Sequence, residues 1–120
     1  MTGGSDGIGL EMCNRLAGLG FNICMVSRDG PKMALQCSKI ERSHPVKTKS
    51  IVCDFSKVCS IAEYTKIVAN EITNLDVSMV FLNAGGSIPG TTYDLTDVET
   101  QTIIRLNFIQ PIYITKALLP

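Results

Sequence analysis

Thr2-Gly3-Gly4-Ser5-Asp6-Gly7-Ile8-Gly9 is a glycine-rich loop that runs directly into a helical pattern, with only Met1 ahead of it. Gly3, Gly7 and Gly9 stand at T-G-x-x-x-G-I-G spacing. Such a loop turns bare backbone N–H groups, at the positive end of a helix, toward a phosphate or diphosphate. Glycine is needed where a Cβ would block the ligand or forbid the backbone angles. The loop takes its meaning from a strand before it and a helix after it. The helix follows; the strand is missing, so the chain reads as truncated at its beginning.

Outward from the loop the pattern alternates helix and strand, without repeats, low-complexity tracts or linkers. Ile8, Met12, Leu16 and Leu19 predict one face of an amphipathic helix that Gly20 ends. Asn22-Ile23-Cys24-Met25-Val26 reads as a short buried strand, and Ser27 to Pro31 as a turn. Pro31 suits the start of a helix running to about Ser43, which His44-Pro45 breaks. Lys49 to Cys53 makes a second strand, left by Asp54-Phe55-Ser56. Ser60 and Glu63 form a capping box for a helix with Ile61, Tyr64, Val68, Ile72 and Leu75 on one face. Val77 to Leu82 is read as a third strand, ending in Asn83-Ala84-Gly85-Gly86. Thr96 and Glu99 form another capping box, for a final helix holding Ile103, Ile104, Leu106, Phe108, Ile109, Ile112 and Ile114. That helix is apolar nearly all round. It is expected to be buried by the sheet on one side and by a partner chain on the other, and to kink at Pro111.

Continuous apolar strands joined by helices predict an α/β fold: a Rossmann-like, doubly wound parallel sheet covered on both faces. At 120 residues the chain is one domain or part of one. Eleven basic and eleven acidic residues cancel, which gives no support to nucleic-acid binding. Five cysteines, odd in number and without C-x-x-C spacing, read as free thiols of an intracellular, reducing compartment. No uninterrupted apolar stretch approaches the roughly 18 residues of a membrane span. His44 has no ligand-spaced neighbours, so no metal site is expected, and the charged stretch from Lys39 to Lys49 reads as a solvated face.

Ligands of such sheets lie beyond the carboxyl ends of the strands, and four features converge there. The glycine loop, with Gly3, Ser5, Gly7, Ile8 and Gly9, would hold a diphosphate. After the next strand, where an NAD-specific protein places an acid, stand neutral Ser27 and cationic Arg28. A guanidinium suits a 2′-phosphate, so NADP(H) is favoured over NAD. Asp54, with Phe55 beside it, follows the second strand, where a carboxylate would accept from the adenine amino group. Asn83, Ala84 and Gly85 follow the third and are small enough for adenosine to pack on the backbone.

In this order and spacing these features resemble the short-chain dehydrogenase/reductase family. Asn107 in Leu106-Asn107-Phe108 and the closing Ala117-Leu118-Leu119-Pro120 continue the match. Ser5-Asp6-Gly7-Ile8-Gly9, Gly20-Phe21-Asn22-Ile23 and Leu75-Asp76-Val77 are most similar to the branch of 17β-hydroxysteroid dehydrogenases and very-long-chain 3-oxoacyl-CoA reductases. The resemblance implies an NADP(H)-dependent oxidoreductase that reduces a carbonyl of a hydrophobic steroid or 3-oxoacyl substrate, or oxidises the alcohol. It implies a tyrosine, lowered in pKa by a lysine, that handles the proton, and a serine that orients the carbonyl. Asn107 matches the family's relay asparagine; without the resemblance it would be a polar side chain bonded to its own helix. The branch implies an endoplasmic reticulum membrane, the family otherwise the cytoplasm.

Three departures bear on this reading. The family's first strand, central in the fold, is expected to be absent, leaving two exposed strand edges. The C-terminal half with Ser and Tyr-x-x-x-Lys is absent too. Tyr64, Tyr93 and Tyr113 have Val68, Asp97 and Ala117 four residues on, and Tyr113–Lys116 has the wrong spacing. Leu82 stands where the family's N-N-A-G has its first Asn. Residues 1–120 are therefore read as a partial NAD(P)-binding Rossmann domain, expected to be inactive alone. The rival reading is a non-catalytic fragment that binds nucleotide or dimerises through its last helix.

Overall fold

The computed structural model describes residues 1–119. Helix α1 (Gly7–Gly18) is followed by strand β1 (Ile23–Ser27), helix α2 (Gly30–Ser43) and strand β2 (Thr48–Val52). β1 and β2 are parallel, in a register that sets Ile23 against Thr48 and Ser27 against Val52. Each helix start has its own chemical cause. Asp6 caps α1 by accepting from Gly7 N–H, and Asp29 caps α2 by accepting from Lys32 N–H, with Pro31 in its first turn.

Two longer helices complete the chain. α3 (61–72) is α-helical over Ile61–Tyr64, a π-turn over Thr65–Ala69 and α-helical again over Asn70–Ile72. α4 (97–118) has the same plan: Asp97–Ile104, a π-turn over Arg105–Ile109, then Gln110–Leu118. Both open on the capping boxes read from the sequence, Ser60 with Glu63 and Thr96 with Glu99. Pro111 does not break α4. Proline lacks the N–H that the helix would use and its ring crowds the carbonyl four residues back; a widened π-turn before it relieves both faults.

The strands alternate between two cores, as a two-residue period dictates. Ile23 and Met25 face one way, into a cluster with Cys13, Ala17, Met33, Cys37 and Ile40 of α1 and α2. Val26 faces the other way, with Ile51, Phe55, Tyr64, Val68 and Ile114, where α3 and α4 pack. Helices on both faces of a parallel sheet are the doubly wound arrangement.

Of the stripe expected to face inward from α1, Leu16 packs against the core and Met12 is half-buried, but both ends of the stripe face outward. Ile8 is 76% and Leu19 75% exposed, while Gly9, Cys13 and Ala17 are buried. Their small side chains let the helix axis approach the sheet more closely than a leucine stripe would. The final helix departs as well. Gln110 and Ile114 are its buried residues, whereas Ile104, Phe108 and Ile112 face outward, so one side alone is covered.

The third strand also differs. Residues 77–82 carry no regular secondary structure and form no ladder. Met1–Gly3 lies between them and β1, in part of the place expected to be vacant. Val26 N–H donates to Met1 C=O, Gly3 N–H donates to Val26 C=O, and Thr2 N–H donates to Phe81 C=O, each over 2.9 Å. A cleft of about 640 Å³ remains, lined by Met1, Cys24, Val68, Val77, Met79 and Ile114 among others. A segment with no ladder partner is not a strand, whatever its side-chain pattern.

Candidate nucleotide site

The loop ahead of α1 is held from beneath by contacts reaching far along the chain. Thr2 is buried, and its hydroxyl accepts from Ala84 N–H at 2.9 Å. Asn83 Nδ2 donates to the carbonyls of Thr2 and Gly3, at 3.1 and 3.3 Å. Ser5, also buried, shares a hydrogen bond of 3.0 Å with the Ser27 hydroxyl. Loop, β1 end and the 83–85 segment are therefore hydrogen-bonded into one ledge.

Glycine is required in this ledge for two separate reasons. Gly3 and Gly7 have φ of 65° and 50°, in the left-handed region that side chains resist. Gly9 is required by contact. A Cβ there would lie 2.3 Å from Gly3 C=O and 2.5 Å from Asn83 Nδ2. α1 therefore begins directly against the loop, and its first-turn amides, those of Ile8 and Gly9, have no carbonyl one turn back in the helix. Gly7 faces open space on the outer side. A cradle that a Cβ would fill, backed by free amides and the positive helix end, fits a diphosphate.

Other sequence-selected residues lie along the same edge. Arg28 is exposed at the end of β1, and no described residue forms an ion pair with it. Asp54 leaves β2 half-buried, its Oδ1 accepting from the Ser56 amide at 3.1 Å and the Ser56 hydroxyl at 2.7 Å. Those hydrogen bonds, with Lys57 at 3.5 Å adding to them against partial burial, hold its carboxyl below the usual range. Phe55 points away from the edge. Its ring stacks on Tyr64 in the core, so it can face a nucleotide with its backbone alone.

Asn107, from the π-turn of α4, clamps the turn that follows residues 83–85. Its Nδ2 donates to Gly86 C=O at 2.8 Å and to Ile103 C=O at 3.1 Å, while its Oδ1 accepts from Gly86 N–H at 3.2 Å. Gly85 passes beneath it, where a Cβ would meet Oδ1 at 2.8 Å. Both the bond to its own helix and a longer-range contact are thus present.

Sequence reading missed the work done by Thr2, by the Asn83 amide and by the Ser5–Ser27 pair. It also missed the bridge of 2.5 Å from Lys32 Nζ to Asp6 Oδ2. The residue types were visible, but partners some eighty positions away carry no local signal. Among the described residues no helix is long and apolar enough to cross a membrane.

Known proteins resemble this chain in sequence and in fold. A very-long-chain 3-oxoacyl-CoA reductase of Debaryomyces hansenii is 36% identical over 122 residues, covering 100% of this chain and 35% of that protein. The chain thus spans about a third of the length of the curated relatives it matches. Among solved structures, a bulky-bulky ketone specific alcohol dehydrogenase from Comamonas testosteroni superposes with a TM-score of 0.87 at 24% identity, over 98% of this chain and 46% of that one. A short-chain dehydrogenase from Sphingobium yanoikuyae in complex with NADPH superposes with a TM-score of 0.80 at 22% identity, over 98% and 45%. These likenesses show the fold. The model of the short chain dehydrogenase family matches residues 1–120, and the chain belongs to that oxidoreductase family.

Proposed function

We propose that residues 1–120 form a partial nucleotide-binding domain that takes NADP(H) and serves the reduction of a 3-oxoacyl or similar hydrophobic carbonyl, or the reverse oxidation. The observation that carries the reading is the close approach of Gly9 to Gly3 C=O, which leaves a glycine cradle at the start of α1, near an exposed Arg28 that has no ion-pair partner among the described residues. In it Gly3, Ser5, Gly7, Ile8 and Gly9 would hold the diphosphate and Arg28 the 2′-phosphate. Asp54 and Phe55 would border the adenine, and Asn83, Ala84 and Gly85 the adenosine. The bound nicotinamide supplies or accepts hydride.

The chain's own part in the chemistry is positional. Asn107 fixes Gly86, and hence the turn that would border the nucleotide, through a two-way amide clamp. Its assignment to a proton relay rests on the family match. No tyrosine among residues 1–120 has a lysine four residues on. The second reading is a non-catalytic nucleotide-binding or dimerising fragment. The substrate class is inferred from relatives named as very-long-chain 3-oxoacyl-CoA reductases, and placement at an endoplasmic reticulum membrane from the branch resemblance alone. Titration of the 120-residue chain with NADPH and NADH, followed by fluorescence, tests the cofactor. Preferential binding of NADPH is expected, with no steady turnover of a 3-oxoacyl substrate. Equal or absent binding of both nucleotides sinks the assignment.

A further inference from the structure

The β1–α2 turn carries a second cation besides Arg28. Lys32 sits one turn into α2, and its ammonium crosses to the glycine loop to meet Asp6 Oδ2 at 2.5 Å. The two residues are 26 positions apart. The other Asp6 oxygen, Oδ1, caps α1 through Gly7 N–H, and Asp29 is engaged in capping α2. The Lys32–Asp6 bridge therefore ties the glycine loop ahead of α1 to the first turn of α2. The Ser5–Ser27 hydrogen bond ties the same loop to the end of β1.

We infer that Lys32 is a second specificity-determining cation for the 2′-phosphate of NADP(H), kept beside the glycine loop by Asp6 until the nucleotide arrives. This rests on the cofactor reading above. The balance of partners supports an exchange. The Asp6–Lys32 pair lies in water, with the Asp6 side chain 77% exposed, where a carboxylate holds an ammonium weakly. A phosphate monoester carries a charge of about −1.5 to −2 at neutral pH and three acceptor oxygens, so it outcompetes a single carboxylate. Arg28, without an ion-pair partner among the described residues, would meet the same group. An acid this close to a dianion site also repels it, and Lys32 is what neutralises that acid in the free protein.

Lys32→Met and Asp6→Asn separate this from a merely structural bridge, because the two readings give opposite signs. Asparagine keeps the cap, since its side-chain oxygen also accepts from Gly7 N–H. Isothermal titration of NADPH and NADH measures both Kd values for each variant. Lys32→Met is expected to weaken NADPH about fivefold or more and leave NADH within twofold. Asp6→Asn is expected to tighten NADPH or leave it unchanged, and Lys32→Arg to keep the preference. Equal loss of both nucleotides in Lys32→Met, or weaker NADPH binding in Asp6→Asn, overturns the inference while leaving the cofactor reading standing. A parent chain that binds neither nucleotide removes both.

Discussion

Gly9 has the least freedom of any residue at the site. Replacing it with alanine puts a methyl within 2.3 Å of Gly3 C=O, a backbone atom that cannot swing aside. The loop or the start of α1 must shift, at about 1–3 kcal/mol by analogy with overpacked cores. Gly9→Ala is therefore expected to lower stability by that amount in urea unfolding and to abolish nucleotide binding. Gly7→Ala acts through φ alone, since open space surrounds it, and should cost less. Arg28 carries the opposite kind of prediction, one of specificity. A charge-assisted hydrogen bond contributes roughly 1.5–3 kcal/mol, or about tenfold to a hundredfold in affinity. Arg28→Asp should lose that much NADPH affinity and gain NADH, because a carboxylate repels the phosphate and accepts from a free hydroxyl. An unchanged ratio of the two dissociation constants would remove Arg28 as the selector. Both residues were visible in the sequence, because a glycine at motif spacing and a cation after a strand are local signals. The Asn83 amide was not, since its acceptors lie 80 and 81 residues away.

The helices show what periodicity can and cannot say. Both capping boxes were legible because they are closed within four residues. The apolar stripe of α1 was misread at its ends, since Gly9, Cys13 and Ala17 give close packing without large hydrophobic side chains. In α4 the covered face holds Gln110 and Ile114, and the opposite face carries Ile104, Phe108 and Ile112 at four-residue steps, exposed by 44, 61 and 57%. Such a stripe is long enough to pack against a second helix. We expect two copies of the chain to associate through it. Phe108→Glu should shift the mass seen by light scattering toward the monomer without changing the helical circular dichroism signal. An unaltered mass would assign the stripe another role. Thr96→Ala, which removes the α4 cap, should by contrast cost about 1 kcal/mol in stability and leave association alone.

In the whole molecule the decisive feature is the gap between β1 and residues 77–82. Met1–Gly3 pairs with Val26 and Phe81, and below it the cleft of about 640 Å³ takes the place of a ladder. Side-chain pattern alone made 77–82 look like a strand, because it cannot reveal whether a hydrogen-bonding neighbour lies beside it. The Met1 ammonium sits at the head of this cleft, donating to Cys24 C=O at 2.8 Å. Burial, the largest influence on it, pulls its pKa below the ordinary range. The folded state therefore binds this proton less readily than the unfolded state. Between the lowered pKa and the unfolded value of about 8, the unfolded chain holds more protons, so stability should rise with pH across that window. Burial pushes Cys13 up to about 11 and raises Cys24, so both thiols stay neutral there. Adding five or six apolar, β-branched residues ahead of Met1 tests the account directly. Because parallel pairing repeats every two residues, the added strand would offer a carbonyl to Cys24 N–H and an amide to Met79 C=O. Each buried side chain contributes about 1.5–3 kcal/mol against about 1–2 kcal/mol for ordering its backbone, a net gain. The extended variant should melt at least about 4 °C higher, its residues 77–82 should gain amide protection from hydrogen exchange, and the pH slope should flatten once the buried amine is an amide. An equally long polar extension should do none of these. If both extensions behave alike, the cleft is not a strand site and the disorder of pairing at 77–82 has another cause.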